Sequence, residues 1–332
     1  MKRFFSILCA CVLLAALAAG GLLAARKAHT MYKGVWDTLD HLTLVTDELT
    51  VGQSRHAEAL STLATQANSI AQQIGYLHRQ AQSLRNTVSD WVDSVPPYIA
   101  HACGGIDGQV YTNSREAFLH QYAHGQRVFE IDFNLANDGV LIACHSEDDW
   151  RRMTGSTLPY ESRHFDEQPL CGQYESLNAQ EVIELLAEHP DAYIITDTKD
   201  TTQAEVMLAF SQLVYLAQKT HPEVLARIIP QIYNEDMLPW VEAVYPFPSI
   251  IYTLYQVSWT PESVLDFCMN SGVRFITMPQ DQVTEEALRL WDTLGIRVGV
   301  HTVNDPLQAQ QLFDLGVDML YTDFLTPADA PL

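Results

Sequence analysis

The sequence predicts an α/β protein: a (β/α)8 TIM barrel preceded by an N-terminal transmembrane helix and a helical, coiled-coil-like stalk. Three observations lead there. Residues from Phe4 to Ala25 form an uncharged, largely apolar run, residues 60 to 91 carry apolar side chains at alternating spacings of three and four, and from Tyr98 onward short β-rich runs alternate with amphipathic helices. The predicted divisions are 1–27 for a membrane anchor or signal segment, 28–95 for the stalk and 96–332 for the barrel.

Lys2 and Arg3 precede the first apolar run, which is long enough to cross a bilayer and longer than the apolar region of most cleaved signal peptides. It predicts a chain anchored by a single N-terminal helix, with the domain that follows on the extracytoplasmic side. Small residues from Ala16 to Gly21 leave cleavage open. In the next segment Leu60, Leu63, Ala67, Ile70, Ile74 and Leu77 begin a heptad seam that runs on to Trp91. The seam predicts a self-associating stalk, or else a helix or hairpin lying on the following domain; Gly52 and Gly75 weaken the helix. Pro96-Pro97 ends it.

Eight candidate strands follow: "YIAHAC", "VFEIDF", "AYIITDTK", "ARIIPQIY", "SIIYTLYQ", "RFITMP", "RVGVHTVN" and "DMLYTDF". Helical segments such as "NAQEVIELLAEH" and "DPLQAQQLFDLG" lie between them, several closing on Gly. Eight such units fit a closed barrel better than an open sheet, and no Gly-x-Gly-x-x-Gly opens a helix to bind a dinucleotide.

The formal charge of −22, from 41 acidic residues against 19 Lys and Arg, argues against a nucleic-acid partner. An acidic enzyme acting on a phosphate ester needs a metal or a few well-placed cations. Cys103, Cys144, Cys171 and Cys268 allow three disulfide pairings, or are small buried hydrophobes. The chain has no Cys-x-x-Cys pair of the kind that holds structural zinc.

The stretch "VFEIDFNLANDGVLIACHS" carries the chemistry. In a strand, Glu130 and Asp132 share one face and Phe129, Ile131 and Phe133 the other. Two neighbouring carboxylates taken out of water need a cation. In a (β/α)8 barrel, chemistry gathers at the C-terminal ends of the strands. His101 belongs to the end of the first strand, Glu130 and Asp132 to the second, and His145 to the end of its continuation "LIACH". Asp197 and Lys199 share a face of the third, and His301 lies near the end of the seventh. Barrel interiors are normally Val, Ile and Leu, so these residues predict a rim at which Glu130, Asp132 and Asp197 surround a hard divalent cation. The charged and aromatic segment from Glu147 to Leu177 is a candidate cover over that rim, or a long surface loop.

"IAHACGGIDGQVYTNSREAF" followed by "FEIDFNLANDGVLIACHS" resembles the glycerophosphodiester phosphodiesterase family: His, a Gly turn, Asn-Ser before Ala-Phe, Glu-x-Asp, Asp-Gly and a second His. "GIRVGVHTVNDPLQAQQLFDLGVDMLYTDF" resembles the family's closing strands, so the likeness spans residues 98 to 325. It implies that His101 and His145 act as general acid and base, that Glu130, Asp132 and Asp197 bind Ca2+ or Mg2+, and that Lys199 contacts phosphate. Three positions depart from the family. Ala102 stands where Arg is common, Asp197-x-Lys199 replaces Glu-x-Lys, and His301 stands where Trp is frequent.

The expected activity is metal-dependent hydrolysis of glycerophosphodiesters, or of related phospholipid or envelope phosphodiesters. Asp197 also resembles a phospholipase-D-like branch that releases a cyclic phosphate. An inactive, membrane-anchored binding or assembly barrel is the alternative from a different class, and the complete set of acids and histidines speaks against it.

Overall fold

The computed structural model describes residues 91–329, so the predicted anchor and the stalk ahead of Trp91 lie outside the described residues. Among the described residues, no helix is long and apolar enough to cross a membrane.

Ten strands form one sheet: β1 (Tyr98–Ala100), β2 (Val128–Leu135), β3 (Leu141–Ala143), β4 (Leu177–Asn178), β5 (Tyr193–Asp197), β6 (Ile228–Ile232), β7 (Ile251–Thr253), β8 (Phe275–Pro279), β9 (Arg297–His301) and β10 (Met319–Thr322). All but β3 and β4 pair in parallel. The barrel closes where β1 meets both β10, Ala100 opposite Thr322, and β2, Ala100 opposite Phe129. Each of the eight predicted strands supplies one stave.

Around them run α1 (Arg115–Ala123), α2 (Glu147–Thr154), α3 (Ala179–Glu188), α4 (Gln203–Thr220), α5 (Met237–Val244), α6 (Pro261–Ser271), α7 (Glu285–Asp292) and α8 (Pro306–Leu315). Their ends are written locally. Ser114, Asn178, Thr260 and Asp305 accept bonds from first-turn backbone N–H groups of α1, α3, α6 and α8, which would otherwise lack partners. Gly272 and Gly316 close α6 and α8 in left-handed conformation.

The period of two along each stave sorts the side chains into layers. Outward residues such as Phe129, Ile131, Ile194, Ile228, Ile276 and Leu320 pack under the helices. Inward residues at the N-terminal end form an apolar floor of Ile99, Val128, Ile195, Ile229, Ile251, Phe275 and Met319. Two residues further along the same staves the inward positions turn polar: Glu130, Asp197, Gln231, Thr253 and Thr277. The fold thus buries its floor and leaves its chemistry at the C-terminal mouth.

The floor is sealed from below by the turn Trp91–Ser94. Trp91 is 8% exposed; its ring stacks on Phe275 at 5.5 Å and Tyr193 at 5.8 Å, and its Nε1 donates to Ser249 Oγ at 2.9 Å. Arg297 grips both carboxylate oxygens of Asp93, at 2.7 and 2.9 Å. Trp91, last in the heptad spacing, is therefore packed on the barrel, ahead of Pro96-Pro97.

Two local features differ from the sequence expectation. "LIACH" does not continue the second stave. β2 overruns the barrel to Leu135, turns through Asn137-Asp138-Gly139, and returns antiparallel as β3 with Phe133 opposite Ala143. Gly139, at φ +78°, supplies the left-handed residue that so tight a reversal requires. The segment from Glu147 to Leu177 is neither a bare loop nor a simple flap. Trp150, Tyr160, Phe165, Leu170 and Tyr174 pack with Ile142 and Cys144 into a small core of their own beside the hairpin. Among the described residues the four cysteines are free, with Cys103, Cys144 and Cys268 buried as small hydrophobes.

Candidate active site

The acids that interrupt β2 meet β5 at the mouth, where the parallel register sets Asp132 opposite Asp197. Glu130, Asp132 and Asp197 each present an oxygen within 4.8 Å of the others. Glu130 and Asp132 are both 2% exposed. Asn113 holds Asp132 from two sides: its Nδ2 donates to Oδ2 at 2.9 Å and its Oδ1 accepts from the Asp132 backbone N–H at 3.0 Å. Glu130 Oε2 accepts from the Ala102 backbone N–H at 2.7 Å, while Oε1 is buried without a partner. Burial, then the charge of Asp132, pushes the Glu130 carboxyl up to about 8.

Lys199 lies among these acids by a route the pleat does not supply. β5 ends at Asp197, and Lys199 adopts a left-handed backbone, φ +56°, with its N–H donating to the Tyr233 hydroxyl at 2.9 Å. Its Nζ then bridges Asp132 Oδ1 and Asp197 Oδ2, each at 2.7 Å. The expected shared strand face is replaced by a turn that folds the ammonium back over the acids. Burial opposes its charge, but Asp132, Asp197 and Glu130 outweigh this and hold Lys199 above its ordinary value. The Tyr233 hydroxyl also donates to Asp197.

The two histidines are each oriented by a carboxylate. His101 Nδ1 donates to Asp323 Oδ1 at 2.8 Å, and Asp323 is held in turn by Asn304 Nδ2 at 2.7 Å. His145 Nδ1 donates to Asp149 Oδ2 at 2.6 Å; Ser146 Oγ and Arg152 hold Asp149, each at 2.7 Å. A carboxylate only accepts, so both rings carry a proton on Nδ1 and direct Nε2 elsewhere. Burial alone would lower the His101 pKa, but the Asp323 bond and the charges of Glu130, Asp323 and Asp132 raise it to about 9. Burial, which would raise Asp149, is outweighed by its bonds to Arg152, Ser146 and His145, and its pKa falls to about 2.

Tyr111 connects the two. Its ring stands edge-on to His101 at 4.7 Å and to His145 at 5.1 Å. Beside His101 a cavity of about 40 Å³ opens into the barrel, lined by Glu130, Gln231, Thr253, Tyr255, His301 and Tyr321. Among the described residues, His301 Nε2 and Thr253 Oγ1 are buried there without partners. Burial, then the positive charges of His101 and Lys199, lowers His301 to about 4, so its imidazole is neutral.

The match to known proteins falls on this region. Residues 105–326 fit the model of the Glycerophosphoryl diester phosphodiesterase family. The chain belongs to that family. Its members hydrolyse phosphoric diesters and use divalent metal ions. No curated protein matches the chain. Among solved structures it is similar to an Oleispira antarctica phosphodiesterase in complex with the product sn-glycerol-3-phosphate, at TM-score 0.60 and 18% identity over 71% of this chain and 96% of that one. A Thermotoga maritima glycerophosphodiester phosphodiesterase gives 0.53 and 21% over 69% and 94%. One from Agrobacterium tumefaciens gives 0.55 and 16% over 71% and 99%. At these identities the likeness is one of fold.

The acids fit the divalent ion that the family uses. Three converging carboxylates, one with an orphaned buried oxygen, form an all-oxygen donor set suited to a hard cation. One ammonium already bridges two of them, which shows that the cluster draws positive charge.

His101, His145, Glu130, Asp132, Asp197 and Lys199 all lie at this mouth. Asp323, Asp149, Asn113 and Tyr111 join them as residues that the sequence pattern does not single out. Asp149 had a local signal: Ser146-x-x-Asp149 is a capping pattern that places an acid one turn beyond His145. Asp323 had none, because 222 residues separate it from His101 and barrel closure alone joins them. Gly105 permits that approach: its N–H donates to Asp323 O at 2.5 Å, and a Cβ there would collide with the Phe324 ring.

Proposed function

We propose that the protein is a metal-dependent phosphodiester hydrolase that cleaves glycerophosphodiesters, or related phospholipid or envelope phosphodiesters, with His101 and His145 as the acid–base pair. The observation that carries this reading is the matched orientation of the two imidazoles, each tied to a carboxylate through Nδ1 on either side of Tyr111 and next to the acidic cluster. The Nε2 atoms are thereby left for substrate.

In the reaction, a hydroxyl neighbouring the phosphodiester attacks phosphorus. One imidazole accepts the hydroxyl proton; the other gives its proton to the departing alcohol oxygen as the P–O bond breaks. Water then opens the cyclic phosphate with the roles reversed. Asp323 and Asp149 hold the rings through both halves and stabilise each imidazolium as it forms. Lys199, carried by Asp132 and Asp197, offers its third N–H to a phosphoryl oxygen. Glu130, Asp132 and Asp197 would hold a Ca2+ or Mg2+ ion, which supplies positive charge against the phosphoryl oxygens. Asp197, shorter than the family's usual Glu, favours a second reading in which the reaction stops at the cyclic phosphate.

In the same reading the chain sits at a membrane through its N-terminal helix, with the barrel extracytoplasmic and the heptad seam joining copies. The apolar run and the seam in the sequence support this part.

Incubating the protein with glycerophosphodiesters and lysophospholipids, with Ca2+ or Mg2+ and with chelator, tests the activity; phosphorus NMR separates cyclic from open products. Turnover should require metal and fall by about 10²- to 10⁴-fold in His145→Ala, the size of an acid–base contribution. An enzyme equally active in excess chelator, or indifferent to loss of His145, would refute the mechanism.

A further inference from the structure

We propose that Tyr111 donates a hydrogen bond to the phosphoryl group bound between His101 and His145, supplying a contact that Ala102 cannot make. The inference rests on the phosphodiesterase reading above and assigns a further substrate-binding residue to that site.

The mouth is rich in acceptors, and its donors are largely engaged. The Ala102 N–H is given to Glu130, Asn113 Nδ2 to Asp132 and Asn304 Nδ2 to Asp323, and two of the three Lys199 protons go to Asp132 and Asp197. A dianionic or monoanionic phosphoryl group entering beside three carboxylates needs neutral or cationic donors aimed at it. The Tyr111 hydroxyl is one. Its ring stands edge-on to both imidazoles that would share the substrate, at 4.7 and 5.1 Å, and its hydroxyl has no protein partner among the described residues. Two residues on, Asn113 bonds Asp132 twice, so the tyrosine is carried on the loop that meets the acidic cluster. Burial first, and then the charges of Asp323, Asp132 and Glu130, raises its pKa, so the phenol stays a donor at neutral pH.

The backbone fixes this placement. Tyr111 lies at φ +62°, a left-handed conformation that is rare for a bulky residue. The chain is pinned on both sides. Ile106 and Gln109 exchange backbone bonds at 3.0 and 2.8 Å, and Asn113 bonds the Ala102 carbonyl at 3.2 Å and Asp132 twice. A side chain held this way reaches its ligand with little ordering left to do.

Tyr111→Phe removes one oxygen and keeps the ring; Tyr111→Ala removes the wedge as well. The measurements are turnover of a glycerophosphodiester in the presence of cation, and calorimetric titration with sn-glycerol 3-phosphate. Tyr111→Phe should lose about ten- to a hundredfold in both kcat/KM and phosphate-monoester affinity, the size of a hydrogen bond to a charged acceptor, with an unchanged melting temperature. Tyr111→Phe equal to wild type in both, with loss only in Tyr111→Ala, would make Tyr111 a spacer and overturn the proposal. A wild-type protein that neither turns over the diester nor binds the monoester would overturn the phosphodiesterase reading, and this inference with it.

Discussion

Replacing Asp132 by Asn tests the acidic cluster directly. The change keeps the shape of the side chain and removes one of three charges that lie within 4.8 Å of one another. The amide that replaces the carboxylate can still accept from Lys199 or from Asn113, while Asp197 retains its own bond to the lysine. In metal-free protein the substitution removes the charge that, after burial, does most to raise Glu130, but takes the same charge from the Lys199 ammonium, so the mutant should melt close to the wild-type temperature. Added cation separates the two. At a hundredfold excess over Kd, binding stabilises the wild type by about 2.7 kcal/mol. For a domain of this size, 1 kcal/mol moves the midpoint by roughly 2 to 4 °C, so the wild-type shift is about 5 to 11 °C. The mutant, with one ligand charge gone, should shift by a small fraction of that at the same cation concentration. Melting curves in chelator and in millimolar Ca2+ or Mg2+ give all four values. Equal stabilisation of both proteins, or none of the wild type, would refute the assignment of Asp132 as a ligand.

Other measurements address the fold, the titrating groups and the stalk. Trp91→Ala should cost about 3 to 5 kcal/mol, the range for deleting a large buried aromatic, and lower the midpoint by about 6 to 20 °C; an unchanged denaturation curve would mean that the floor is sealed without it. In chelator, stability should fall as pH rises from about 6.5 to 9; below 6.5 the loss from Glu130 is opposed by His301, which, lowered from 6.5 to about 4, adds stability as pH rises. Glu130, raised from 4.5 to about 8, contributes stability that is complete below 4.5 and lost by about 8. His101, raised from 6.5 to about 9, loses its contribution between 6.5 and 9. Metal-free protein that becomes more stable across this range would contradict both. Polar residues at Ile70, Ile74 and Leu77 should convert an oligomeric protein to monomer in sedimentation; wild type that is already monomeric would favour the reading of the seam as a hairpin lying on the barrel.

The staves, the caps and the acidic face of the second strand were legible in the amino-acid order alone. These are local properties: the period of two that sets Glu130 beside Asp132, the side-chain oxygens that start helices, and the glycines that end them. His145 with Asp149 belongs to the same class, since one helical turn brings them together. What local pattern could not carry was settled by closure of the barrel. Asp323 reaches His101 only because β10 pairs with β1, and Trp91 becomes a floor residue only because Phe275 and Tyr193 arrive beside it from distant staves. Lys199 left its expected strand face because a left-handed turn, bonded to Tyr233 from the next stave, aims it at Asp132 and Asp197. Tyr111 looked like any loop tyrosine, and its place between the histidines depends on the Asn113–Asp132 bonds across the mouth. The cause is the same in each case: side-chain periodicity is set by neighbours along the chain, whereas partners hundreds of residues away are set by register and closure, which no short stretch encodes.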